Sequence, residues 1–309
     1  MTKTPQLIGL GEIVLDWVDE IPRFPQPDEK IDAMSQNFFM GGVTANFLAG
    51  AARLGVDTGF IGAVGDDEYG TFLLEGLKKA GIDASLVRRK EKSPVNFIMV
   101  SKDSGEKIII QSPYMQTTKL LPGDIKEEYF SKAKALHTTA IHEDLTLECL
   151  RIAKRKGITV SLDLEKQIAV RGLAALKPII KDVDILLPNK EGAKALTGET
   201  DIKAAAKKFL GWGPKLVIIT LGGEGCLITT STMQKRIPAY KVKVLDTTGA
   251  GDAFCAAFIT AHVIKGLDIE AAAAFANAAA ALKVQHLGAT SGQPTWEAAR
   301  RFQAKNDVN

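Results

Sequence analysis

Residues 246–258 read DTTGAGDAFCAAF. Three small residues, Gly249, Ala250 and Gly251, stand directly before Asp252, and an apolar run follows. At a helix N-terminus the first amides lack internal partners and carry partial positive charge, so such a turn draws phosphate. Glycine lets the ligand approach the backbone closely. A carboxylate beside an anion is unfavourable unless it has a task of its own. Accepting a proton from an alcohol, while the amides hold charge on a phosphoryl group in transit, is such a task. The alternative for Asp252 is a first-turn acid that complements the helix dipole.

A second stretch, GGVTANFLAGAARLG (41–55), also presents glycines at a helix start, with Asn46 one turn in. Alone it reads equally as a glycine turn whose Asn satisfies a neighbour. The two stretches together are harder to explain as local structure. The common nucleotide fingerprints are absent: the chain has no Gly-Lys dipeptide, and the first strand leads into GLGEIV rather than GxGxxG. A dinucleotide-dependent oxidoreductase is therefore disfavoured.

Other polar groups have two readings each. His142-Glu143-Asp144 could reach a substrate or simply open a helix, and it lacks the HExxH spacing of a zinc site. His137, His262 and His286 are isolated and read as structural. Asp163 ends a strand and reads as a loop acid. Asp16 sits at a strand exit. Trp17, Phe38 and Phe39 could stack on a ligand ring or pack within a flap.

The elements that must position these groups alternate. IGLG, DTGFIGAVG, KALHTTA, ITVSLD, VDILLPN and KLVIITLGG read as short apolar strands. Helices separate them, at 41–55, 67–81, LTLECLRIAKRKG, KEGAKALTG and DIKAAAKKFLG, and three more follow residue 249. CLITT and QKRIPAY read as two shorter strands. Buried strands between helices imply a parallel sheet covered on both faces, with ligands beyond the carboxyl ends of the strands. Two segments break the rhythm. Residues 16–40 hold three prolines and short alternating stretches, and 95–111 carries a hairpin around DSGE. Both are expected to form one small flanking sheet.

The 309 residues suffice for one large α/β domain or two medium ones. A net charge of +3, with basic residues interleaved with acidic ones, shows no nucleic-acid stripe. Cys149, Cys226 and Cys255 are scattered without a CxxC pair, which fits a reducing cytoplasm. The N-terminal stretch is acidic where a signal peptide would be apolar, and the Ala-rich run 271–284 is too short for a membrane span.

On these residues the chain resembles the ribokinase-like, PfkB-type carbohydrate kinase family over nearly its whole length. GGVTANFLAGAARLG looks like that family's N-terminal signature and DTTGAGDAFCAAF like its C-terminal one. VIITLGGEGCLI resembles its T-x-G-x-x-G nucleotide segment, and LLPNKEGAKALTG its N-x-x-E segment. The resemblance implies a single 1–309 unit of three-layer α/β fold, with a central mostly parallel sheet flanked by helices and a small β-sheet lid from about 16–40 and 95–111. It implies an alcohol-phosphorylating sugar kinase using ATP and Mg2+, with Asp252 as base and Gly249, Ala250 and Gly251 as anion hole. Asp16, Gly41, Gly42 and Asn46 would hold substrate hydroxyls. Asn189, Thr220, Gly222, Gly225 and the neighbourhood of Asn277 would border the nucleotide. Some relatives bind a monovalent cation such as K+, and Asp246, Thr248 and the 285–291 loop occupy matching places. The lid implies a homodimer.

The chain departs from the pattern twice. Gly192 stands where N-x-x-E expects the acid that helps to organise magnesium. Val43 and Thr44 replace the usual Lys-Gly of ribokinases proper, which points away from ribose as the main acceptor. A nucleoside kinase of the same fold, and a ligand-binding homologue with impaired turnover, are the alternative readings.

Overall fold

The computed structural model describes residues 4–306, apart from 117–119, 121–122 and 124; both ends of the expected 1–309 unit thus reach outside the described residues. In chain order the strands are β1 (Leu7–Leu10), β2 (Val14–Ile21), β3 (Ser35–Gly41), β4 (Thr58–Val64), β5 (Asp83–Arg89), β6 (Val95–Ser101), β7 (Lys107–Gln111), β8 (Ala135–Thr138), β9 (Thr159–Leu164), β10 (Ile185–Pro188), β11 (Leu216–Thr220), β12 (Cys226–Thr229) and β13 (Gln234–Ile237). The helices are α1 (Val43–Arg53), α2 (Glu68–Lys79), α3 (Glu143–Lys156), α4 (Lys166–Ala169), α5 (Leu173–Ile180), α6 (Lys190–Thr197), α7 (Ile202–Leu210), α8 (Ala250–Ile259), α9 (Ile269–Lys283) and α10 (Trp296–Asn306).

Nine strands form the central sheet in the order β13-β12-β11-β10-β9-β8-β1-β4-β5. All neighbours are parallel except β11–β12 and β12–β13. Strands β1, β8, β10 and β12 are buried at every residue, which is why they read as continuous apolar runs rather than alternating ones. One core packs α1, α2, α8, α9 and α10 on one face. A second core packs α3 to α7 on the other. From β1 the chain runs outward first to β4 on one side and later to β8 on the other, so a topological switch lies at β1 and opens a crevice beyond its carboxyl end.

The two irregular segments form the second sheet, ordered β3-β2-β6-β7. It begins at Val14, two residues before the expected start. The hairpin around DSGE is present, with Phe97 opposite Ile110. The sequence reading left out β5 and the pair α4–α5. β5 is an edge strand, half-buried and mixed in charge, so its apolar signal is weak. α5 is short and contains Pro178. Cys149, Cys226 and Cys255 are free and buried. Among the described residues no helix is long and apolar enough to cross a membrane.

Candidate active site

Successive strand exits along one edge of the central sheet deliver polar side chains. The turn after β1 carries Glu12, and the turn after β8 carries Thr139, whose Oγ1 donates to Glu12 Oε2 at 2.7 Å. β9 carries Asp163 one residue before its end and leads to Glu165, β10 leads to Asn189, and β11 ends at Thr220. Asn189 and Thr220 bridge the gap between their strands.

Two helices start at this edge. Gly42 precedes α1 and Gly249 precedes α8. Gly249 has φ 74°, and a Cβ there would overlap the Ala289 carbonyl, so only glycine fits. Asp252, in the first turn of α8, is 7% exposed. Asn46 Nδ2, in the first turn of α1, donates to Asp252 Oδ2 at 2.8 Å. Burial pushes the Asp252 carboxyl up to about 8; the hydrogen bond from Asn46 opposes this, and the charges of Glu165 and Glu12 add to it. The Ala250 amide donates to the Thr247 carbonyl at 3.1 Å. Among the described residues the amides of Gly249, Gly251 and Asp252 have no main-chain acceptor, and a Cβ on Gly251 would point into open space. Of the three expected anion-hole amides, the open ones are therefore those of Gly249 and Gly251.

The small sheet covers this edge. Asp16 on β2 accepts from Asn96 Nδ2 on β6 at 2.8 Å, and Gly41 packs directly against its carboxylate. Burial raises the Asp16 carboxyl, against the Asn96 bond and the Lys107 charge. The strand pairing puts Lys107 of β7 on the same face as Asp16. Its Nζ reaches Thr248 Oγ1 at 3.1 Å, so the small sheet touches the loop before α8. The opposite face carries Trp17, Phe38 and Phe97, with Trp17 4.9 Å from Phe38 and 5.7 Å from Phe97, and 6.4 Å from Tyr69 of α2. These rings pack the lid. Phe39 shares the face of Asp16. Thr44 Oγ1, Asn46 Oδ1 and Asn96 Oδ1 are buried with no partner among the described residues.

Where the nucleotide is expected, Asn189 caps α6, its Oδ1 accepting from Gly192 N at 2.7 Å. A Cβ on Gly192 would overlap the Leu164 carbonyl, so the β9–α4 turn occupies the room that a side chain at 192 would need. Gly222 and Gly225 bracket the short turn after Thr220. Asn277 is buried, and its Nδ2 donates to the carbonyls of Ile237 at 3.2 Å and Pro238 at 3.0 Å; it braces the loop after β13.

Acid is in surplus here. Burial raises Asp163 well above the usual carboxylate range, helped by the charges of Glu165, Asp252 and Glu12. Burial likewise raises Glu165 and Glu12. Among the described residues no three such side chains form a ligand set for a metal by themselves. The arrangement fits a divalent cation that arrives on phosphate oxygens and relieves the mutual repulsion of these carboxylates.

Asp246 Oδ1 accepts from Thr248 N at 2.9 Å and Thr248 Oγ1 at 2.7 Å, and Oδ2 accepts from Gly288 N at 2.8 Å. Burial works to raise this carboxyl, but the hydrogen bonds from Thr248 and Gly288 and the charge of Lys283 outweigh it and hold it below the usual range.

The remaining candidates have these surroundings. His137 stacks on Phe47 at 3.6 Å between ring centroids, and burial pushes it down to about 3, so it is neutral. His142 precedes α3, and Glu143 pairs with Arg171 at 2.7 Å. His262 Nδ1 bonds the Leu267 carbonyl. Sequence reasoning missed Glu12, Asn96, Lys107, Thr139, Glu165 and Lys283. Glu12, Thr139 and Glu165 follow strand exits and could have been found by that rule. Asn96 and Lys107 sit inside strands, where only the sheet register shows their face.

Strand exits, two helix starts and a covering sheet meet at this edge, and with the family match that follows they belong to a phosphotransferase with an alcohol acceptor. The chain belongs to the pfkB family of carbohydrate kinases, whose family model matches residues 5–296, and it is a sugar kinase. It is 31% identical to the ATP-dependent ribose-1-phosphate kinase of Halopiger xanaduensis, over 96% of this chain and 97% of that one. It is 30% identical to the ribokinase of Staphylococcus aureus, over 95% and 98%. The solved structure of Arabidopsis thaliana ribokinase complexed with ribose and ATP superposes with a TM-score of 0.86 at 27% identity, covering 97% and 99%.

Proposed function

We propose that the chain transfers the γ-phosphoryl group of ATP to a hydroxymethyl group of a sugar or sugar-like alcohol held between the sheet edge and the lid. The observation that carries this reading is the Asp252 carboxylate: buried, raised to about 8, and set in the same first turn as the open amides of Gly249 and Gly251.

In this mechanism the acceptor hydroxyl points at Asp252. Asp252 takes its proton as the oxygen bonds to the γ-phosphorus, while the bond from phosphorus to the β–γ bridging oxygen breaks and ADP leaves. A base with a value near neutrality suits this transfer. The amides of Gly249 and Gly251 meet the charge that develops on the phosphoryl oxygens. Lys107 adds positive charge from the lid. Asp16 and the unpartnered oxygens of Thr44, Asn46 and Asn96 supply acceptors for hydroxyl donors, which suits a polyol. Asn189, Thr220, Gly222 and Gly225 border the nucleotide. Bound with ATP, Mg2+ would neutralise phosphate charge, and Glu165 would supply the carboxylate that Gly192 lacks. Lid closure excludes water and suppresses ATP hydrolysis.

The exposed Phe38, Phe97, Ile108 and Ile110 on the outer lid face support a homodimer through the lid. Three free cysteines support a cytoplasmic setting. The test is incubation of purified protein with ATP, Mg2+ and, separately, D-ribose, D-fructose and nucleosides, reading product mass. A phosphorylated sugar bears the proposal out. Phosphorylation of nucleosides alone makes it a nucleoside kinase, and no product with any alcohol makes it a binding protein.

A further inference from the structure

The loop that carries the anion hole is tied to the 285–291 loop twice. One tie is the carboxylate of Asp246. The other is Lys283, in the last turn of α9. Its side chain is fully buried, and its Nζ donates to the main-chain carbonyls of Asp246 at 3.1 Å and His286 at 3.4 Å. A buried ammonium costs much solvation unless oxygen acceptors replace the lost water. Here the recorded acceptors are two carbonyls, one from each loop, with the Asp246 carboxylate close behind.

Main-chain carbonyls converging on a desolvated point are the coordination that a monovalent metal cation takes. An ammonium is a compact cation with three donors and no acceptor, so it satisfies the same oxygens. Two of the places at which K+ was expected, Asp246 and His286 in the 285–291 loop, therefore already face a positive charge through their carbonyls. A free K+ does not fit beside it, because its carbonyl oxygens are engaged and the two like charges would repel.

We infer that Lys283 is a covalently attached substitute for a monovalent cation, and that this kinase works without K+. Lys283 is a positioning residue. It fixes the Asp246–Thr248 loop against the 285–291 loop, and Gly249 and Gly251 follow directly from that loop. The alkyl stem carries the charge on the chain, so the anion hole is set whatever salt surrounds it. This rests on the kinase reading for its consequence in turnover, but not for the cation site itself.

The experiment exchanges the purified protein into tetramethylammonium chloride and titrates KCl at constant ionic strength. Two quantities are followed: the thermal midpoint without nucleotide, and ADP release with ATP, Mg2+ and the acceptor found above. The wild type should show no K+-dependent rise in midpoint and less than about a twofold change in rate. Lys283→Ala frees the carbonyls. It should melt several degrees lower and turn over roughly tenfold more slowly in tetramethylammonium, and KCl should restore both in part. If Lys283→Ala does not fold, Lys283→Met keeps the aliphatic stem and serves in the same arms. A wild type that K+ stabilises or activates overturns the inference. So does a Lys283 variant as stable as the wild type, or one equally impaired in both salts. If no acceptor is phosphorylated in any salt, the kinase reading fails, and the melting arm still decides the cation site.

Discussion

Asn46 and Asp252 stand 206 residues apart in the chain, yet Asn46 Nδ2 donates to Asp252 Oδ2 at 2.8 Å, joining the first turns of α1 and α8. Asn46 was expected to hold a substrate hydroxyl. Its amino group is engaged by Asp252, while its Oδ1 is buried with no partner among the described residues.

Asp252→Asn should keep the fold and ATP binding but lose at least ~10²-fold in turnover, the low end for a general base. A steady-state assay beside a thermal melt checks this, and near-normal turnover would remove Asp252 from the mechanism.

The base should titrate. Asp252 at about 8 must lose its proton to act, so kcat/KM for the acceptor should rise about tenfold per pH unit on the acid side and level off above about 8. The Asn46 bond favours the ionised form, so Asn46→Ala should move this limb to higher pH and restore most activity there. An unmoved profile would assign Asn46 to substrate alone.

Stability should run the other way. Burial raises Asp252, Asp163, Glu165 and Glu12, so between about pH 4 and 8 the folded chain keeps protons that the unfolded chain releases. Folding is then weakened as pH rises through that window. The nucleotide-free protein should melt lower at pH 8 than at pH 5.5, and MgATP should narrow the gap by binding the folded form.

Gly192 and Glu165 can be separated. Gly192→Ala should cost about 1–3 kcal/mol, since its Cβ overlaps the Leu164 carbonyl. Glu165→Gln should leave the melt at acid pH nearly unchanged, where the buried carboxyl keeps its proton, and raise the Mg2+ concentration needed for half-maximal rate at fixed ATP by roughly tenfold. An unchanged Mg2+ titration would set Glu165 aside.

Lys107→Met tests the lid contact. Lys107 is exposed, so the fold should be indifferent. Losing its charge beside Thr248 should raise KM for ATP by about tenfold, with a smaller effect on kcat, if it acts mainly in binding.

The sheet, its covering helices and the lid were legible because strand burial and helix periodicity speak locally. The GAGD turn alone reads equally as a first-turn acid that complements the helix dipole, and it became legible only beside the GGVTAN stretch, since two glycine turns with polar residues are harder to explain as local structure. β5 was missed because an edge strand is half wet and its pattern is mixed. Lys283 was missed for another reason: a lysine in the last turn of a helix reads as a favourable surface charge, and nothing in its neighbours indicates that it turns inward. Ala250 shows the same limit, since its amide faces Thr247 rather than open space, a choice made by backbone geometry alone.

The pairing of α1 with α8 also bears on how the protein comes into being. Translation delivers Asn46 first and Asp252 some two hundred residues later. A ribosome-bound chain that has not yet released α8 holds α1 without the helix it packs against and without Asp252. With Asp252 as the base, half-made copies are expected to be chemically silent until synthesis is almost finished.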